Sequence, residues 1–174
     1  MDSRTRTRTR TSRIGAFTLI ELILVLALLV IITSIATPAM SRFIRGRALG
    51  TEARRLLALT HEAQSRAVSE GMPMVVWVNE QTGSYGLAAE TSGQNGDPKA
   101  ENLMVDSVLA ISVVNRTAGV PTMFNNLPAI RFQPDGTVDE NSPQSLKLVD
   151  SDGFSCWLTE TPLRTGYEIT DTGK

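Results

Sequence analysis

Apolar positions follow three successive rhythms along the chain. From Phe17 to Ala36 nearly every residue is apolar, and Glu21 is the only charge among those 20 residues. A helix of that length, rising about 1.5 Å per residue, spans roughly 30 Å, the thickness of a bilayer's hydrocarbon core. From Met40 to Glu70 the apolar residues thin to one side: Leu49, Ala53, Leu56, Ala63 and Ala67 recur at steps of three, four or seven, the signature of one helix face. Arg54, Arg55, Glu62, Gln64, Arg66 and Glu70 fall mostly elsewhere, and Gly71 with Pro73 behind it ends the helix. Gly46 and Gly50 are weak helix positions. They serve either as a soft joint or as small residues for close helix packing.

After Pro73 the period changes to two or to short apolar runs. Met74–Val78 and Tyr85–Ala89 are expected strands of a hairpin joined across Asn79–Ser84. The stretch 90–102 holds no large apolar side chain and reads as an exposed loop. One or two strands are expected in Leu103–Val114, and a loop with Pro121 and Pro128 in Asn115–Ala129. Strands at Ile130–Gln133 and Thr137-Val138 flank the turn Pro134-Asp135-Gly136. Ser145–Val149 and Phe154–Thr159 flank a second turn, and Arg164–Thr170 is the last strand. Phe154, Cys156 and Leu158 are expected to alternate inward, which makes Cys156 a small core residue rather than a nucleophile. The fold class is therefore α+β: a long N-terminal helix packed on an antiparallel β-sheet body.

Charge adds a direction. Residues 1–16 hold five arginines (Arg4, Arg6, Arg8, Arg10, Arg13) against one acid, whereas the remainder has 12 basic and 17 acidic residues, a net of −5. A basic head, an apolar span and an acidic body fit an N-terminus held in the cytoplasm and a body sent across the membrane. The acidic body argues against nucleic-acid binding. A single cysteine excludes an intrachain disulfide, and the only histidine, His61, has no cluster of cysteines or histidines around it to hold zinc.

The span begins Gly15-Ala16-Phe17-Thr18-Leu19-Ile20-Glu21-Leu22. A carboxylate in hydrocarbon costs about 2.5–3.5 kcal/mol on insertion scales, so Glu21 requires a partner. An ordinary secretory signal would place small residues after its apolar core; here Gly15-Ala16 precede it, although Ser34-Ile35-Ala36 mimics such a site. Basic leader, small pair, Phe-Thr-Leu-Ile-Glu-Leu and an apolar helix together resemble the class III signal of type IV pilins and type II secretion pseudopilins. That resemblance implies cleavage by a prepilin peptidase and N-methylation of the new terminus. Most members have Gly before the cut. Cutting after Ala16 keeps the family's Phe-to-Glu spacing, so Phe17 is the expected first residue; cutting after Gly15 would lengthen that spacing by one. Pro38 also matches the family, and physically it removes one helix hydrogen bond.

The segments Ile130-Arg131-Phe132…Asp135-Gly136 and Thr165-Gly166-Tyr167-Glu168-Ile169 after a long helix narrow the resemblance to the GspH/FimT family of minor pseudopilins and minor pilins. The organisation it implies is a cleaved leader (1–16), a transmembrane and assembly helix (17–38), an amphipathic continuation (39–71) and a periplasmic β-rich domain (72–174). Its implied role is a structural subunit of a type II secretion pseudopilus, stored in the inner membrane and assembled through its helix. The implied partners are prepilin peptidase, other pseudopilins or pilins and an inner-membrane assembly platform. Glu21 would pair with the amino group of Phe17 on a neighbouring subunit. A FimT-like minor pilin of pilus biogenesis or DNA uptake is the alternative, for which Arg164 and Lys174 stand among Glu160, Glu168 and Asp171, poor footing for phosphate. No catalytic triad, paired-acid site, phosphate-binding glycine loop or cofactor motif is present in the sequence, so no enzyme activity and no cofactor are expected.

Overall fold

The computed structural model describes residues 18–90, 96–114 and 120–170, with the helix backbone alone at Ile35 and 37–45. The chain divides into two units at the Ser41/Arg42 junction, and one helix, α1 (Leu19–Glu70), contributes to both.

In the first unit every large apolar side chain from Leu19 to Ile32 is exposed. Among the described residues no helix is long and apolar enough to cross a membrane. Of the expected span 17–38, Phe17 and the side chains of Ile35, Thr37 and Pro38 lie outside the described residues. The hydroxyls of Thr33 and Ser34 turn back onto their own helix: Thr33 Oγ1 donates to the Leu29 carbonyl at 2.9 Å and Ser34 Oγ to the Val30 carbonyl at 2.7 Å. Such back-bonding satisfies a hydroxyl without any partner outside the helix.

The second unit combines the rest of α1 with two antiparallel sheets. The strands are β1 (Met74–Asn79), β2 (Ser84–Ala89), β3 (Glu101–Met104), β4 (Leu109–Val114), β5 (Met123–Phe124), β6 (Leu127–Phe132), β7 (Ser145–Asp150), β8 (Ser155–Glu160) and β9 (Tyr167–Thr170). One sheet runs β3-β2-β1-β6-β5 and the other β4-β7-β8-β9. On α1, Leu49, Ala53, Leu56, Thr60, Ala63 and Ala67 are buried at alternating steps of four and three. Thr60 joins this apolar face because its hydroxyl is satisfied by the Leu57 carbonyl at 2.7 Å. The alanines keep the face flat enough for a sheet to approach.

Alternation along the strands then decides what meets it. Met74, Val76 and Val78 of β1, Tyr85 and Leu87 of β2, and Ile130 and Phe132 of β6 point to the helix side. Ile111, Leu146, Leu148 and Leu158 of the other sheet join the same cluster. The opposite face of β1, β2 and β6 carries a smaller cluster of Val75, Ala88 and Ala129, flanked by Trp77 and Phe124.

The helix, the β1–β2 and β7–β8 hairpins and the antiparallel body follow the expected pattern, with five local differences. The last strand starts at Tyr167 rather than Arg164, because Arg164 takes a left-handed turn conformation with φ of 56°. β3 begins at Glu101, inside the expected loop, because it pairs with the outer edge of β2 in the register Leu87↔Glu101. β5 and the start of β6 also lie in an expected loop. Their turn is Asn125-Asn126, with φ of 50° and 64°, the left-handed pair that a two-residue type I′ hairpin requires and asparagine tolerates. Thr137-Val138 form no strand; Val138 makes only an isolated bridge to Phe132. Phe154 does not turn inward but is 60% exposed, since β8 starts one residue later at Ser155. The remainder of the two expected loops, 91–95 and 115–119, lies outside the described residues.

Gly50 sits in helical conformation, and a Cβ built on it meets nothing within 4 Å. Gly50→Ala is therefore expected to stabilise the protein by up to about 1 kcal/mol, read as a higher urea midpoint at unchanged slope. A lower midpoint would show that this backbone needs glycine.

Candidate functional site

The first turn of α1 is built by Thr18. Its carbonyl accepts the Leu22 N–H at 3.2 Å, and its Oγ1 accepts the Glu21 N–H at 3.4 Å, so Thr18 is the N-cap and Glu21 the third helical residue. Thr-x-x-Glu is the capping-box spacing, a signal present in the sequence that the motif reading passed over. Glu21 is exposed in the first turn, where a negative charge also complements the helix dipole. Among the described residues Glu21 has no ion-pair partner. Thr33 and Ser34 are hydrogen-bonded within the helix, so Glu21 is the one polar side chain of the described run Leu19–Ser34 with no side-chain bond to its own helix. Gly15, Ala16 and Phe17 lie outside the described residues, as does the side chain of Pro38.

The last turns of α1 are fastened to the body by polar contacts that periodicity alone does not reveal. Gln64 Nε2 donates to the carbonyls of Gly136, at 2.7 Å, and Thr165, at 2.6 Å. Arg66 is buried; its Nη2 meets Asp97 Oδ2 at 2.9 Å, its Nε meets Glu70 Oε1 at 3.1 Å, and its Nη1 donates to the Lys99 carbonyl at 3.1 Å. Lys99 Nζ reaches the same Glu70 oxygen at 2.9 Å. Burial works against ionisation of Asp97, yet the Lys99 N–H, the Arg66 guanidinium and the Ala89 N–H together hold its carboxyl below the usual range. Hydrogen bonds from Arg66 and Lys99 do the same for Glu70. Higher on the helix, the buried Glu52 accepts a 2.6 Å hydrogen bond from the Tyr85 hydroxyl, whose pKa is raised by burial and by that carboxylate.

His61 is exposed, and Cys156 is half-buried against the core. Among the described residues no group of three or more His, Cys, Asp or Glu is placed to hold a metal ion. Arg164 is held by Glu160 at 3.4 Å, by Glu140 at 3.9 Å and by the Val138 carbonyl at 3.1 Å, so its charge is spent within the body. Lys174 lies outside the described residues.

A helix entering through a capped, acidic first turn, then lying on a two-sheet body, defines a pilin-like protein. The family model for type II transport protein GspH matches residues 52–160, and the chain belongs to this family, among the pseudopilins of type II secretion. The fold is similar to the minor pseudopilin EpsH from the type II secretion system of Vibrio cholerae. There the TM-score is 0.54 at 12% identity, covering 74% of this chain and 96% of that one. It is also similar to the type IV minor pilin FimU of Pseudomonas aeruginosa, with TM-score 0.53, 13% identity, and coverage of 74% of this chain and 92% of that one. No curated protein matches in sequence.

Proposed function

We propose that this chain is a minor pseudopilin that is stored in the inner membrane and assembled into a type II secretion pseudopilus through its N-terminal helix. The observation that carries this reading is Glu21, the only charged residue in the otherwise apolar helix run Leu19–Ser34, whose Thr33 and Ser34 hydroxyls are bonded within the helix. Prepilin peptidase removes residues 1–16 and methylates Phe17. The new amino group then lies four residues before the Glu21 position, so that a neighbour's carboxylate meets it when helices bundle in the filament core. In low dielectric each charge is costly alone and acceptable when paired, which fixes axial register between subunits. Pro38 relaxes one helix hydrogen bond where neighbours satisfy the freed carbonyl. The assembly platform delivers the subunit from membrane to filament. No catalytic step by the chain itself enters this account.

The likeness to FimU supports a second reading, a minor type IV pilin involved in pilus biogenesis or DNA uptake. The engagement of Arg164 by Glu160 and Glu140 weighs against its DNA-binding form.

N-terminal sequencing and intact mass of protein purified from membranes test the processing step. A chain starting at Phe17 and carrying one added methyl group is expected. A chain that keeps residues 1–16 beside an active prepilin peptidase overturns the proposal.

A further inference from the structure

The face of the first sheet that carries Trp77 and Ala88 bears a cavity of about 330 Å³. Its floor is formed by Trp77 and Ala88, one wall by Phe124 and Leu127 of the β5–β6 hairpin, and the other by the segment from Gly96 to Asn102. Trp77 and Gly86 face each other across β1 and β2. A Cβ on Gly86 would stand 2.5 Å from Trp77 Cζ2 and 2.1 Å from the Glu101 carbonyl oxygen. Glycine at this place therefore lets the indole lie over the neighbouring strand. That closeness explains the ring's position; it does not account for the open cavity beside it.

Three neutral polar groups border this floor. Asn102 and Asn125, both exposed, are among the lining residues, and neither side-chain amide has a hydrogen-bond partner among the described residues. The Trp77 indole N–H likewise has none among them. Among the described residues no lysine or arginine lines the cavity, whereas Asp97 and Glu101 do, which disfavours anionic ligands. Asp97 is already saturated by Arg66 and by the N–H groups of Ala89 and Lys99, which leaves it little pull on a cation.

An apolar ring floor with unpartnered amides at its edge suits a neutral ligand that has one C–H face and several hydroxyls. We propose that this cavity binds a pyranose unit of a neutral saccharide, stacked on Trp77 and hydrogen-bonded by Asn102 and Asn125. The volume accommodates about one ring, so a chain would be held by one residue with its neighbours in solvent.

The test uses the full chain in a zwitterionic, sugar-free detergent. Trp157→Phe makes Trp77 the only fluorophore of its kind. Titration with chitotetraose, cellotetraose and maltotetraose is expected to give a saturable change in emission with at least one of them at millimolar concentration or below. Trp77→Ala should abolish binding measured by calorimetry. Because that change also uncovers Gly86, the exposed pair Asn102→Ala and Asn125→Gly provides a second variant. It should weaken binding at least fivefold while far-UV circular dichroism stays unchanged. Absence of a saturable response to all three sugars overturns the proposal, as does unchanged affinity in the amide variant. A response to N-acetyl-leucinamide alone overturns it too, by making the cavity a seat for protein side chains.

Discussion

Glu21→Ala is expected to reduce incorporation of the subunit into filaments at least tenfold, with leader cleavage and the membrane-held pool at wild-type levels. Immunoblots of sheared filaments and of membranes read the two quantities separately. The substitution leaves the helix itself sound. Thr18 caps through the Glu21 backbone N–H, which alanine retains, and alanine is the best helix former. Loss of the charge from the first turn costs the helix only about 0.3–1 kcal/mol in dipole energy. A large assembly defect therefore reports a contact outside the helix. Glu21→Gln separates charge from shape: it should fail as alanine does, because an amide cannot neutralise an ammonium group. Normal incorporation of either variant would remove the pairing with Phe17.

Arg66→Met is expected to destabilise the body by about 3 kcal/mol, since it leaves the buried Asp97 carboxylate without its counter-charge. Methionine preserves much of the apolar stem, so the loss measures the guanidinium. Adding Asp97→Asn should recover part of the loss, because no unpaired buried carboxylate then remains. The same cluster sets a pH dependence. Asp97 and Glu70 are both held below their unfolded values, so in the acid range the unfolded chain binds more protons than the native one. Their contribution is present above about pH 4, the ordinary carboxylate value, and is lost as pH falls through the lower folded values. Urea midpoints followed from neutral pH downward should show this slope in the wild type and a shallower one in Arg66→Met. Equal slopes would show that Arg66 does not stabilise the ionised carboxylates.

What the sequence makes legible is what repeats or stays local. The buried helix face was readable from Leu49 to Ala67 because 3.6-residue periodicity needs no knowledge of the partner surface. Thr60 broke that pattern on paper yet is buried, since its polarity is cancelled one turn back. Arg66 was not readable as buried, because its burial depends on Asp97, 31 residues on in the chain. β5 spans two residues and owes its existence to a turn whose signal, Asn125-Asn126, was in view but lay among prolines. At the candidate site, the Phe-Thr-Leu-Ile-Glu-Leu motif was plain, whereas the role of Thr18 as cap needed the backbone geometry. Trp77 and Gly86 appeared only as unremarkable strand positions; their meeting follows from hairpin register.

The fastening of α1 has a mechanical consequence. Gln64, Arg66 and Glu70 occupy its last two turns and engage three segments of the body: Gln64 holds the loops at Gly136 and Thr165, and Arg66 and Glu70 together hold the stretch Asp97–Lys99. Tension drawn along the helix from its N-terminal side would load these links in shear and together, whereas a sideways pull would break them in sequence. Glu52, bonded to Tyr85 more than two turns earlier, would feel such a sideways pull first. Links sharing a load rupture at higher force than links that fail singly, so the body should resist axial extraction better than lateral peeling. A subunit hauled by its helix is thus gripped where the helix ends.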